Sequence, residues 1–291
     1  TFRGRKQMWC PVRAVIVYLK LHIPLRTYQA RMLDSGESDY YRYNQGEWSL
    51  NNVHPFANTD ARLSVNKGFF RKMKDRATGL EMTGMFISTN KTQDINKDEI
   101  DRGYCIPWQH EDVLYWAEKL RNWQEKYNPI NGPTKFIDLE TKHLGLAKSR
   151  DDLKMMGSQC FLMRNAAATK IEDRDKPINA RSIPQFWHML LSKLERDIKQ
   201  RAHLTGEGNV RLVKVLPPSE GAKGKTSDEV YYPLHCMRVS LLTAYALDGG
   251  VPTPVLSKLI AGHSRLIMTL HYIKVSATTM SERLSEAEAN I

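Results

Sequence analysis

Cysteine is scarce in this chain of 291 residues. The four present, Cys10, Cys105, Cys160 and Cys236, lie far apart, and no C-x-x-C pair occurs. That excludes a zinc site built on paired cysteines and a disulfide framework, and it fits a reducing cytoplasm. Long apolar runs are also missing. The longest, Ala14 to Leu19, spans six residues, where a membrane helix needs roughly 20. No signal peptide is expected, and these residues hold no internal repeat and no low-complexity tract. Carboxylates do not cluster in a way that suggests a metal, so neither a metal nor another cofactor is expected.

Negative charge is in deficit. Asp and Glu number 32 against 43 Lys and Arg, a formal net charge of +11. Such a surplus favours a polyanionic partner, because each cation set against a phosphate releases a condensed counterion. On charge alone, a merely basic protein is the equal alternative. The chain opens at Thr1 within a basic segment of Arg3, Arg5 and Lys6, and the expectation is a piece of a longer protein.

Apolar spacing predicts helices on both sides of Pro24, over residues 12–33, with Pro24 near the first turn of the second. Residues 34–60 are polar and read as loop or insertion. Two short apolar runs, Met85 to Ser88 and Cys105 to Trp108, outline strands joined by a long turn. Glu111 to Tyr127 reads as an amphipathic helix, with Leu114, Trp116, Leu120 and Trp123 spaced for burial. Residues 131–158 read as irregular, Pro184 to Arg201 as helix, and 216–230 as loop. Leu234 to Leu247 is a helix stopped by Gly249-Gly250. Thr253 reads as the N-cap of another helix, with Pro254 at its first position. The balance is mostly α with a small antiparallel β-sheet, an α+β class.

The residues that carry chemistry gather in the last quarter: Leu234-His235-Cys236-Met237-Arg238, then Leu259-Ile260-Ala261-Gly262-His263-Ser264, then Thr269-Leu270-His271-Tyr272. On a helix, His235 and Arg238 share one face. His263 follows Arg238 by 25 residues, and Tyr272 follows His263 by nine. Either short motif alone is more often structural than functional. The ordered set, with Gly249-Gly250-Val251 between, resembles the signature of the tyrosine recombinase (phage integrase) family: H-x-x-R on a helix, a turn, L-x-G-H-S, and T-x-x-Y.

The resemblance implies that family's catalytic-domain fold, an early arginine and a β-turn lysine. Arg26 fits the arginine: an apolar helix precedes it, as in the family's G-x-R-x-x-E. Pro24 replaces the usual glycine and Gln29 the usual acid; Gln29 could still orient the guanidinium as a neutral acceptor. Arg62, in Asp60-Ala61-Arg62, is the competitor. Lys91 fits the lysine, at the end of a strand in Thr89-Asn90-Lys91-Thr92; Lys97 is its alternative. The resemblance covers about Val12 to Lys274, with insertions expected near 34–75, 131–158 and 204–230. The domain is expected over 1–275. The family's N-terminal core-binding domain is not visible in this chain.

Further implications follow from the resemblance. Tyr272 would attack the phosphorus and form a 3′-phosphotyrosine. Arg26 and Arg238 would hold the non-bridging oxygens. Lys91 would protonate the leaving 5′ oxygen, His235 would take the tyrosine proton or position the phosphate, and His263 would donate to a phosphate oxygen. The partner would be double-stranded DNA, with a homo-tetramer on paired sites, in integration, excision or resolution of a mobile element. The setting would be a bacterial nucleoid. Two alternatives share the scaffold: a type IB topoisomerase and a non-catalytic DNA-binding protein. Residues 276–291 read as a short amphipathic tail helix, too small to stand alone. It would dock on its own domain or on a neighbouring protomer.

Overall fold

The computed structural model describes residues 8–62, 66–75, 78–90, 97, 102–205, 210–216, 227–263, 266–270, 273 and 285. Val12, Val15, Ile16 and Leu19 recur at helical spacing and all are buried, so Val12–His22 forms α1 with one face in the core. Pro24 restricts the residue before it to extended backbone. Ile23 accordingly has φ −124 and ψ 133, and the helix stops there. The chain bends through Pro24 and Leu25 to α2, Thr27–Arg31, whose N-cap is Arg26. Pro24 therefore stands outside both helices, not in the first turn of the second as expected.

The polar stretch after α2 is not the loop that its composition predicts. It holds a hairpin, β1 (Tyr41–Asn44) against β2 (Glu47–Leu50), in the register Tyr43↔Trp48. Gln45 and Gly46, both at positive φ, make its two-residue turn. The central sheet is antiparallel: β3 (Phe70–Lys74), β4 (Glu81–Ile87) and β5 (Tyr104–Ile106), in that order. The two strands expected from Met85 to Ser88 and Cys105 to Trp108 are β4 and β5, paired through Met85↔Ile106.

Helix α3 spans Glu111–Tyr127, as its apolar spacing predicts. Its buried face is Val113, Leu114, Ala117 and Leu120, whereas Trp116 is exposed and Trp123 half-buried. Residues 131–158 are not irregular throughout. A short strand β6 (Thr134–Lys135), α4 (Thr141–Leu144), α5 (Arg150–Met155) and β7 (Ser158–Gln159) occupy them, with β6 paired to β7. The long α6 runs over Ser182–Thr205. A second hairpin, β8 (Val213–Leu216) with β9 (Ser227–Val230), partly replaces the expected loop. Helix α7 covers Leu234–Leu247 as read from the sequence.

Helix α8 (Thr253–Val255) has Pro252 at its N-cap, one residue before the expected Thr253. It widens into a π-type turn over Leu256–Ile260, closed by Ala261 N–H donating to Leu256 O, and α9 (Leu266–Leu270) follows. The main core joins α1, α3, the central sheet and the start of α7 through Ile16, Leu120, Met85 and Met237. The tail read as a helix over 276–290 lies outside the described residues, apart from Ser285. The architecture is mixed: helices with several small antiparallel sheets.

Candidate active site

Two buried cations hold the bend between α1 and α2. Lys20, on the core face of α1 and 1% exposed, donates from Nζ to Leu25 O at 2.7 Å. Arg238 donates from Nη1 to Pro24 O. The next residue is Arg26. Its backbone N–H donates to Gln29 Oε1 at 3.0 Å, and Gln29 Nε2 donates to Thr89 O at 3.0 Å, just past the end of β4. Gln29 thus fixes the backbone of Arg26 and ties it to the sheet, rather than taking the guanidinium as expected. The Arg26 side chain is half-buried, and its buried Nη1 has no hydrogen-bond partner among the described residues.

Helix α7 brings the second arginine. Leu234 and Met237 anchor it in the core, which carries Arg238 inward while leaving His235 exposed. Arg238 Nη2 donates to Ala261 O at 3.1 Å and lies 2.7 Å from His263 Nε2. An arginine can only donate, so His263 Nε2 accepts and its proton sits on Nδ1. That Nδ1 faces Thr269 Oγ1 at 2.7 Å. Gly262 has φ +61, and a Cβ there would lie 2.5 Å from the Tyr104 ring. Only glycine permits both the left-handed backbone and the close approach of Tyr104.

The electrostatics are one-sided. Burial first, then Arg238 and Arg26, push the His263 imidazole down to about 3, so it is neutral near pH 7. Burial, Arg238, Lys20 and Arg26 lower His235 in the same direction. Burial and Arg238 lower Lys20 to about 8. Burial pushes the Tyr104 phenol up to about 12, against the pull of Arg238 and Arg26. The named charges acting on His235, His263 and Lys20 are all positive.

A cleft of about 680 Å³ opens beside this group. Arg26, Gln29 and His235 lie along it, Leu144, Pro184 and Trp187 give it apolar walls, and Lys148 also lines it; no carboxylate does so among the described residues. The structure therefore brings together Arg26, His235, Arg238 and His263. Arg62 is exposed and makes a local turn, its backbone N–H donating to Asp60 Oδ1 at 2.8 Å. Lys91 and Tyr272 lie outside the described residues. Lys97 is half-buried, and its carbonyl accepts from Arg102 Nε at 3.0 Å.

Three participants escaped the sequence. Lys20 and Tyr104 belong to no short motif. A lysine on the apolar face of α1 was the available signal for the first. Thr269 was visible in T-x-x-Y, but its contact with His263 was not.

Among the described residues, one group could offer three ligand atoms to a metal: Glu37, His54 and Glu125. Its charge is already answered. Glu37 pairs with buried Arg164, and Glu125 takes both Nη atoms of Arg42. Burial alone would raise the Glu125 carboxyl; the His54 and Arg42 bonds override it and hold the group at about 2. The pattern is that of a charge-compensated structural network.

Residues 3–137 match a family described as "Putative integrase". The match covers less than half of the chain and supports an integrase-family assignment. It takes in α1, the Arg26 bend, the central sheet and α3, and stops well before His235. No curated protein and no solved structure matches the chain. Among the described residues, no helix is long and apolar enough to cross a membrane.

Proposed function

We propose, starting from the integrase-family assignment, that this chain is the catalytic domain of a tyrosine recombinase, which cuts and rejoins DNA through a 3′-phosphotyrosine at Tyr272. One observation carries the reading. Arg26 and Arg238 converge with His235 and His263 beside a cleft; among the described residues no carboxylate lines it and the buried Arg26 Nη1 has no hydrogen-bond partner. A buried guanidinium normally finds an anion. A phosphodiester suits this arginine, since its non-bridging oxygens match the guanidinium fork.

In this reading the Tyr272 oxygen attacks phosphorus and the P–O5′ bond breaks. His235, exposed and lowered in basicity, takes the phenol proton; Lys91 gives one to the departing 5′ oxygen. The arginines stabilise the pentavalent phosphorane with fixed positive charge. His263 acts first on Arg238, orienting its guanidinium as an acceptor. The phosphotyrosine conserves the bond energy, so the reverse step rejoins the strand. Strand exchange would take place in a tetramer on paired sites of double-stranded DNA.

A nicked suicide duplex tests the reading. Cleavage should leave a free 5′ hydroxyl on one side and protein joined to the 3′ phosphate on the other. Cleavage that leaves protein on the 5′ side, or hydrolysis without any adduct, would contradict it. Exchange between two specific sites, against sequence-tolerant relaxation of supercoils, separates a recombinase from a type IB topoisomerase.

A further inference from the structure

Lys20 belongs to no short motif, yet this lysine is buried on α1 beside the site. A buried ammonium is costly unless it is paired. Its named bond is to a neutral acceptor, Leu25 O at 2.7 Å, and the neighbouring charge that acts on it, Arg238, is a like charge. Such an arrangement costs stability on its own. What it does is visible in the bend. Lys20 takes Leu25 O, Arg238 takes Pro24 O, and Gln29 Oε1 takes the N–H of Arg26. Three successive residues are pinned, and the third is the arginine whose Nη1 lacks a partner among the described residues. Pro24 has no N–H to donate, and a backbone bond from Leu25 N–H to Ile23 O at 2.7 Å turns the chain around it; side chains take the Pro24 and Leu25 carbonyls.

We infer that Lys20 is a positioning residue: together with Arg238 it clamps the carbonyls of Pro24 and Leu25, and so aims the Arg26 guanidinium at the phosphate. The inference rests on reading the site as a phosphodiester site. Lys20 itself does not touch the reacting atoms. It acts through Arg26, and that gives it a distinct signature. Lys20→Met keeps the length of the side chain and removes the donor. Arg26 would then wander, and a misplacement of about 1 Å can cost roughly a hundredfold in rate. Overall DNA affinity, spread over many phosphate contacts, would barely change.

The test compares wild type, Lys20→Met, Arg26→Ala and the double variant on a nicked suicide duplex. Lys20→Met should melt within a few degrees of wild type and bind the duplex within about twofold. At saturating DNA it should cleave roughly ten- to a hundredfold more slowly. The double variant should be no slower than Arg26→Ala alone, since a positioning residue has nothing left to position. Unchanged cleavage by Lys20→Met, or additive losses in the double variant, would overturn the inference. Cleavage lost only in proportion to unfolding would reduce Lys20 to a structural role. If wild type forms no adduct, the recombinase reading fails and inorganic phosphate decides the Lys20 question. Phosphate should raise the melting temperature of wild type but not of Lys20→Met or Arg26→Ala. A phosphate shift retained in Lys20→Met would overturn the inference on its own.

Discussion

Arg26 and Arg62 make the sharpest contrast at the scale of single residues. Arg26 is held at a pinned bend with one nitrogen unanswered among the described residues; Arg62 is exposed. Arg26→Ala is expected to slow single-turnover cleavage of a suicide duplex at least about a hundredfold, the usual cost of removing a donor aimed at developing negative charge. Arg62→Ala should stay within about twofold. The reverse pattern would move the first arginine to Arg62. His263 makes a pH prediction. Its folded pKa, about 3, lies below the unfolded value of 6.5. Between those values the unfolded chain binds a proton that the folded chain refuses, so this group's contribution to stability falls as pH falls through 6.5 towards 3. The difference in urea midpoint between wild type and His263→Gln should therefore shift against wild type from pH 7 to pH 4. A difference independent of pH would mean that His263 titrates normally.

Motif residues were legible because their spacing is fixed by helical geometry and turn length. His235 and Arg238 lie one turn apart on α7, and the glycine before His263 announces a left-handed turn. Lys20 and Tyr104 were not legible. Tyr104 matters through a contact across the fold, with the backbone of Gly262, and Lys20 through a local bond to Leu25 O whose value depends on Arg238 arriving from α7. Gln29 was half legible. Its place after Arg26 was read correctly, but its amide serves the backbone and Thr89 instead of the guanidinium.

At the scale of elements, the bounds of α3 and α7 were legible from their spacing and stop signals, although Trp116 of α3 is exposed where its spacing predicts burial. Of the short strands, β4 and β5 were read from their apolar runs, but the polar ones were not. β1 and β2 are rich in polar side chains, and their pairing depends on the Gln45-Gly46 turn more than on alternating burial. The junction between the π-type turn and His263 gives an element-scale prediction. Gly262→Ala must adopt positive φ, at a cost of about 1 kcal/mol, and its methyl must displace the Tyr104 ring, at a further cost of about 1–3 kcal/mol. Urea unfolding should show that loss. Tyr104→Leu in the same chain should recover the steric part and leave the backbone part. Full additivity of the two substitutions would mean that the ring and the turn are not coupled.

Across the whole molecule, residues distant in sequence are joined by buried charge. Arg164 and Glu37, both without solvent exposure, connect the segment after α2 to the segment after β7. Arg164→Met should cost about 3–5 kcal/mol, because it strands a buried carboxylate. Denaturant unfolding should show a loss of that size; a loss under 1 kcal/mol would mean that Glu37 escapes to water or to His54. The integrase match over residues 3–137 and the His235-to-Tyr272 motifs occupy separate parts of the chain. The folded chain brings the two together where Arg238 meets Pro24. The chemistry assigned to that junction depends on Tyr272. The most direct test is to trap the adduct on a nicked suicide duplex, digest the protein, and locate the attached nucleotide by mass spectrometry. Nucleotide is expected on the peptide containing Tyr272, and no adduct is expected from Tyr272→Phe. Nucleotide on any other residue, or an undiminished adduct from Tyr272→Phe, would contradict that chemistry.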